Sequence, residues 1–172
     1  MNSELELLKK NIDFENKNIL SIGGGAGGLE ALINKKYDCS FCFIEKNYIS
    51  KKVKYGWDNN NNEAYNDLDL LKKFLLDNKM NKERFKIFDY DRDILPTEKF
   101  DIIISLYSLD YHYDFNIYFE YLKKNCHKKT ILVFDTIKPD LYKEIFKEVI
   151  VLKVDDQTVH KSKRIMCSNF IY

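Results

Sequence analysis

Seven short apolar runs, the early ones separated by helix-like stretches, constrain the fold of this chain more than any other feature. The runs are "NILSIG", "CSFCFIE", "RFKIFDY", "FDIIISLY", "TILVFD", "EVIVLKV" and "RIMCSNF". Bounded apolar runs of this length, rich in β-branched and aromatic residues, read as strands. Between the early ones lie "GGLEALINKK", "EAYNDLDLLKKFLLDNK" and "FNIYFEYLKKN". In the second of these, Leu68, Leu71, Leu75 and Leu76 recur at three- and four-residue steps, which puts them on one helical face. Strands alternating with helices imply an α/β fold: a Rossmann-like, seven-stranded, mostly parallel sheet with helices on both faces. The last two runs are joined by "DDQTVHKSK", too short for a helical crossover and about right for a hairpin. The last strand is therefore expected to be antiparallel.

The 172 residues, 45% hydrophobic and 15% aromatic, suit one domain spanning 1–172 with a real core. Both prolines, Pro96 and Pro139, fall between periodic segments, as loop residues should. The 28 basic and 27 acidic residues leave a net charge of +1, which gives no argument for a nucleic-acid partner. The opening "MNSELELLKKNIDF" lacks the pattern of a signal peptide. No apolar run nears the roughly 20 residues that span a membrane. The expectation is a soluble, cytoplasmic protein without nucleic-acid or membrane partners. Cys39 and Cys42 form a CxxC, but inside a strand-like apolar run, where cysteine packs in the core. No cluster of Asp, Glu and His has a spacing that demands a metal.

Five of the six glycines lie between Gly23 and Gly28, where the first strand meets a helix. Such a turn lets backbone amides approach a ligand, and the helix start adds partial positive charge. Two templates fit. Gly23, Gly25 and Gly28 satisfy GxGxxG, the dinucleotide fingerprint, with Glu45 near the expected distance at the end of the second strand. Gly23, Gly25 and Gly27 satisfy the GxGxG core of class I S-adenosylmethionine-dependent methyltransferases. The segment "DYDRDILPTEKFDIIIS", Asp89 to Ser105, resembles that family again, with an acid after the third strand, a Leu-Pro loop and an Asp-starting fourth strand. The resemblance spans nearly the whole chain, the final hairpin included. A nicotinamide enzyme would need a second region for its substrate, and there is no space for one.

The resemblance implies S-adenosyl-L-methionine as cofactor and gives its neighbours residue by residue. Gly23, Gly25 and Gly27 would lie under the methionine part, and Glu45 would accept hydrogen bonds from both ribose hydroxyls. Asp91 matches the adenine-contacting acid, with Arg92 beside the ring. Ser105 and Leu106 would border the methionine end. Ser21 stands where the family pattern has Asp or Glu, two residues before the first glycine. This departure weakens the loop's orientation or the hold on the cofactor's amino group.

The nucleophile in this fold arrives beyond the fourth strand, where the chain reads "SLYSLDYHYDF". His112 is a suitable base near neutral pH, and Asp110 is either an alternative base or the group that fixes the imidazole tautomer. Asp110 and Asp114 also compete as helix caps. The aromatic-His-Tyr triplet after a Ser-x-x-Ser resembles bacterial sugar O-methyltransferases of surface polysaccharide biosynthesis. Tyr107, Tyr111 and Trp57 would then line a sugar-containing, small-molecule acceptor, with Tyr55, Tyr65 and the asparagines around Asn59 to Asn66 offering stacking faces and polar groups. Three readings stand beside this one: a different acceptor, a non-catalytic binding subunit, and the nicotinamide-dependent oxidoreductase. The cleft of so small a chain must be closed by the loop after the second strand, by the acceptor, or by a neighbouring copy in a homodimer.

Overall fold

The computed structural model describes residues 1–47, 66–111, 113–155 and 161–171. Its elements run α1 (Asn2–Leu8), β1 (Lys17–Ile22), α2 (Gly28–Asn34), β2 (Cys39–Glu45), α3 (Leu68–Asp77), β3 (Phe85–Asp89), β4 (Phe100–Ser105), α4 (Asn116–Asn125), β5 (Cys126–Thr136), β6 (Phe146–Val154) and β7 (Lys163–Phe170). Short 3-10 turns occupy Lys82–Arg84 and Pro139–Glu144. The seven strands form one sheet in the order β3-β2-β1-β4-β5-β7-β6. The pairs from β3 to β5 are all parallel, and β7 is antiparallel to both β5 and β6. The mostly parallel sheet and the closing hairpin are thus as the patterning implies.

Helices α1, α2 and α3 bury one face of the sheet, whereas α4 and the Pro139–Glu144 turn cover the other. Strand β2 shows why its run is continuously apolar: Cys39, Phe41 and Phe43 enter the first core, while Cys42 and Ile44 enter the second. The CxxC cysteines are three residues apart and so lie on opposite faces of the strand. All four cysteines are free and buried, and the Cys39 thiol donates to the Phe14 carbonyl at 3.0 Å. Core packing accounts for the motif.

Helix α3 starts where Asp67 accepts hydrogen bonds from the Asp69 and Leu70 amides, both at 3.0 Å. It buries Leu71 and Leu75 completely, with Leu68 packed against them. Leu76, expected on the same face, is 44% exposed instead. One residue beyond Leu75 turns the side chain about 100° around the axis, away from the stripe. Among the described residues the second face carries one regular helix, and aromatic rings fill much of that face. Phe146 lies 4.3 Å from Phe170, Phe134 lies 4.8 Å from Tyr142, and Phe115 lies 5.0 Å from Tyr142, measured between centroids.

Helix α1, which the apolar runs do not announce, is tied to the far side of the sheet by charge. Glu4 pairs with Arg164 of β7, a fully buried guanidinium that also grips Asp135 of β5 through two bonds of 3.1 and 3.0 Å. Burial pushes the Asp135 carboxyl up to about 6, against the Tyr107 amide, which favours its charged form. Among the described residues no helix is long and apolar enough to cross a membrane.

Candidate functional site

The strand order reverses between β1 and β4, and in open α/β sheets the crevice at the carboxyl ends of such strands is where ligands bind. Four sequence-predicted groups converge there: the glycine turn after β1, Glu45 ending β2, the acids after β3, and the segment after β4.

The turn is not uniformly glycine for one reason. Gly23, Gly25 and Gly27 all have positive φ, at 65°, 63° and 73°. A side chain at Gly23 would collide with the Ser108 hydroxyl, and one at Gly27 would press on Leu71 and Leu75 of α3 within 2.9 to 3.0 Å. Gly24 rests on the side chains of Ser21 and Glu30, and Gly28 on Met1. Among the described residues a Cβ at Gly25 would meet nothing within 4 Å. Most of the turn's glycines therefore admit the protein's own side chains, whereas Gly25 faces open space among the described residues.

Glu45 is pinned at this opening. The β2 end is held on both sides, by Gly23 N–H to the Ile44 carbonyl at 3.1 Å and by Tyr90 N–H to the Glu45 carbonyl at 2.7 Å. Its side chain turns toward the turn and accepts from Gly25 N–H at 3.1 Å, with Asn66 and the Gly24 amide also donating. At 5% exposure, burial pushes this carboxyl up to about 8, against the lowering effect of those donors. Asn66, expected to offer polar groups to the acceptor, bridges Glu45 and the Gly25 carbonyl, the latter at 2.8 Å.

After β3, Asp89 is the buried acid, accepting Asp91 N–H at 3.1 Å. Asp91 itself is half exposed and pairs with Lys46 at 3.2 Å. Arg92 is 75% exposed and lies 3.6 Å from Asp89. Both stand at the rim on the β2–β3 side, free of the core.

After β4, the Ser105 hydroxyl donates to the Ile22 carbonyl at 2.8 Å and accepts Leu109 N–H at 2.9 Å, bracing the ends of β1 and β4. Leu106 packs against the core of the α1–α3 face. Tyr107 adopts φ 53°, held by its N–H on Asp135 at 2.8 Å and its hydroxyl on Asp155 at 2.9 Å, with the Arg164 guanidinium 5.0 Å from its ring. Tyr111 meets it edge-on at 5.6 Å, making a two-ring wall. Asp110 accepts from the Thr136 hydroxyl and from Tyr142, and its amide donates to the Tyr113 carbonyl at 2.6 Å. These bonds give Asp110 a loop-anchoring role. His112, Trp57, Tyr55, Tyr65 and Asn59 to Asn62 lie outside the described residues. Among the described residues no group of three or more His, Cys, Asp or Glu side chains could hold a metal.

Two residues escaped the sequence reading: Ser108 closes over Gly23, and Glu30 lies buried beneath Gly24. Only Glu30 left a signal, an acid inside the otherwise apolar "GGLEALI".

The model of the methyltransferase domain family matches residues 3–162. The chain belongs to that family. No curated protein matches it. Solved structures with the same fold include an S-adenosyl-L-homocysteine complex of a SAM-dependent methyltransferase from Thiobacillus denitrificans, at 12% identity and TM-score 0.56, covering 91% of this chain and 52% of that one. StiE O-MT residues 961–1257 match at 12% identity and TM-score 0.62, over 98% of this chain and 73% of that one. A ribosomal protein methylase from Lactobacillus delbrueckii subsp. bulgaricus matches at 12% identity and TM-score 0.60, over 97% and 76%. The chain spans about half the length of the Thiobacillus denitrificans protein and of several other solved structures that share the fold. At such identities the likeness establishes the Rossmann-like methyltransferase fold.

Proposed function

We propose that this chain is an S-adenosyl-L-methionine-dependent O-methyltransferase acting on a hydroxyl of a sugar-containing acceptor, a nucleotide sugar or glycan. The observation that carries the cofactor assignment is Glu45: a buried carboxyl at the tip of β2, turned onto the Gly25 amide beside the open glycine. The residues present fit the group. A carboxylate has about four lone-pair sites, three of them engaged here, so a ribose hydroxyl can still donate to it, and Gly25 leaves room for the chain beyond the ribose. Asp91 and Arg92, at the rim after β3, are positioned to meet the adenine.

The bound cofactor supplies a methyl carbon activated by its neighbouring sulfonium. What the protein adds is alignment of the acceptor oxygen, exclusion of water and removal of one proton. The Tyr107–Tyr111 wall gives a pyranose face a surface to stack on, and Tyr107 is locked for that task by Asp135 and Asp155. With Asp110 engaged by Thr136 and Tyr142, His112 is the residue assigned as base. Trp57 is assigned to the acceptor side, and a second copy of the chain is one means of closing the cleft.

The test is a screen of nucleotide sugars and short glycans with methyl-labelled cofactor. The reading expects label on oxygen, a fall in turnover of about a hundredfold or more in His112→Ala, and unchanged S-adenosylhomocysteine binding in that variant. Label on nitrogen, or full turnover without His112, contradicts it.

A further inference from the structure

Glu30 is 2% exposed on a helix whose neighbours Leu29, Ala31 and Ile33 are all core residues. One carboxyl oxygen accepts from the Ser21 hydroxyl at 2.6 Å, and the other, equally buried, has no hydrogen-bond partner among the described residues. An apolar side chain would fill this place without the orphaned oxygen, leaving only the Ser21 hydroxyl short of its acceptor, and a buried carboxyl costs more than a buried hydroxyl, so packing alone does not explain a glutamate here. Its surroundings do point somewhere. A Cβ on Gly24 would come within 2.4 Å of Ser21 Oγ and 3.1 Å of Glu30 Oε1, so the turn is seated directly on this pair. Glu30 is also near enough to Glu45 to raise the latter's pKa, which puts one carboxyl beneath the turn and one beside it.

Ser21 occupies the strand position two residues before the first glycine, and its hydroxyl ends one atom beyond Cβ. A carboxyl delivered from α2 reaches the same point from the other side. We infer that Glu30 is the acid of this turn, carried on the helix instead of the strand, and that it positions the turn for the ammonium-bearing amino-acid end of the cofactor. The inference rests on the cofactor reading above. Burial holds the carboxyl above its ordinary range, and the Ser21 hydroxyl only partly offsets this. A cationic group arriving over Gly24 favours the ionised form.

Two ligands separate this role from a structural one. S-adenosylhomocysteine carries the amino-acid end, and 5′-methylthioadenosine has the same adenosine thioether without it. Calorimetric titration of the full chain with each is the experiment, on the wild type, Glu30→Leu and the double variant Ser21→Asp/Glu30→Leu. Glu30→Leu is expected to weaken S-adenosylhomocysteine by about tenfold or more and to leave 5′-methylthioadenosine unchanged. The double variant, with the acid back on the strand, is expected to regain S-adenosylhomocysteine affinity to within about threefold of wild type. Unchanged S-adenosylhomocysteine binding in Glu30→Leu, or equal loss of both ligands, overturns the assignment. A wild type that binds neither ligand overturns the cofactor reading itself, an outcome distinct from either of these.

Discussion

Gly25 and Gly27 share a backbone conformation and differ in what surrounds them, which separates stability from binding at neighbouring positions. Alanine at either site bears the left-handed strain of about 1–2 kcal/mol. At Gly27 the added carbon also meets Leu71, Leu75 and Phe43, so Gly27→Ala should give the larger loss in a thermal or urea melt. Gly25→Ala, with open space around it, should lose little more than the strain and yet lose S-adenosylhomocysteine binding in calorimetry. Glu45 adds a pH signature. Its folded pKa, about 8, lies above the ordinary carboxylate value of 4.5, so its neutral form is favoured by folding. That contribution is complete below about 4.5 and is lost as pH climbs through about 8. Glu45→Gln should therefore gain on wild type in melting temperature as pH rises from 5 to 9. Ribose hydroxyls donate to the ionised carboxylate, so wild-type affinity for S-adenosylhomocysteine should strengthen from pH 6 to 8, and a flat profile contradicts this. Glu45 was legible in the sequence because its place follows from a strand end and a glycine spacing. Glu30 and Ser108 were not, since each reaches the turn through tertiary packing that no local period encodes.

Among the elements, the strands were the most legible. Runs such as "CSFCFIE" are buried on both faces, and burial on both faces leaves an unbroken apolar signature. Helix α1 has Leu5 and Leu8 on one face but is only seven residues long, too brief for its period to stand out. Leu76 shows the converse error, an apolar residue adjacent to a stripe and taken for part of it. Between β5 and β6 the chain makes a 3-10 turn, and rings from Phe134, Tyr142 and Phe146 pack there. The β5–β7 junction is held by a buried ion pair, Asp135 with Arg164, which also fixes Tyr107. Asp135→Ala leaves the guanidinium with Glu4 as its remaining carboxylate, and a cost of about 3 kcal/mol in urea unfolding is expected. A loss under 1 kcal/mol would show that Glu4 alone suffices.

At the scale of the chain, we propose that residues 1–172 behave as one cooperative domain, because a single sheet runs between both cores. Near- and far-ultraviolet circular dichroism should report coincident thermal transitions. The general fold was recoverable from alternation alone, but the acceptor was not, since a sheet edge sets the cofactor's place and loops set the substrate's. The central claim is narrower than the acceptor: an adenosyl cofactor lies across the tips of β1, β2 and β3 with Glu45 on its ribose. Isothermal titration of S-adenosylhomocysteine into wild type and Glu45→Ala tests it most directly. The account predicts one ligand per chain for wild type, with affinity about tenfold or more weaker in the variant. Absence of binding to wild type, or equal affinity in the two proteins, would contradict it.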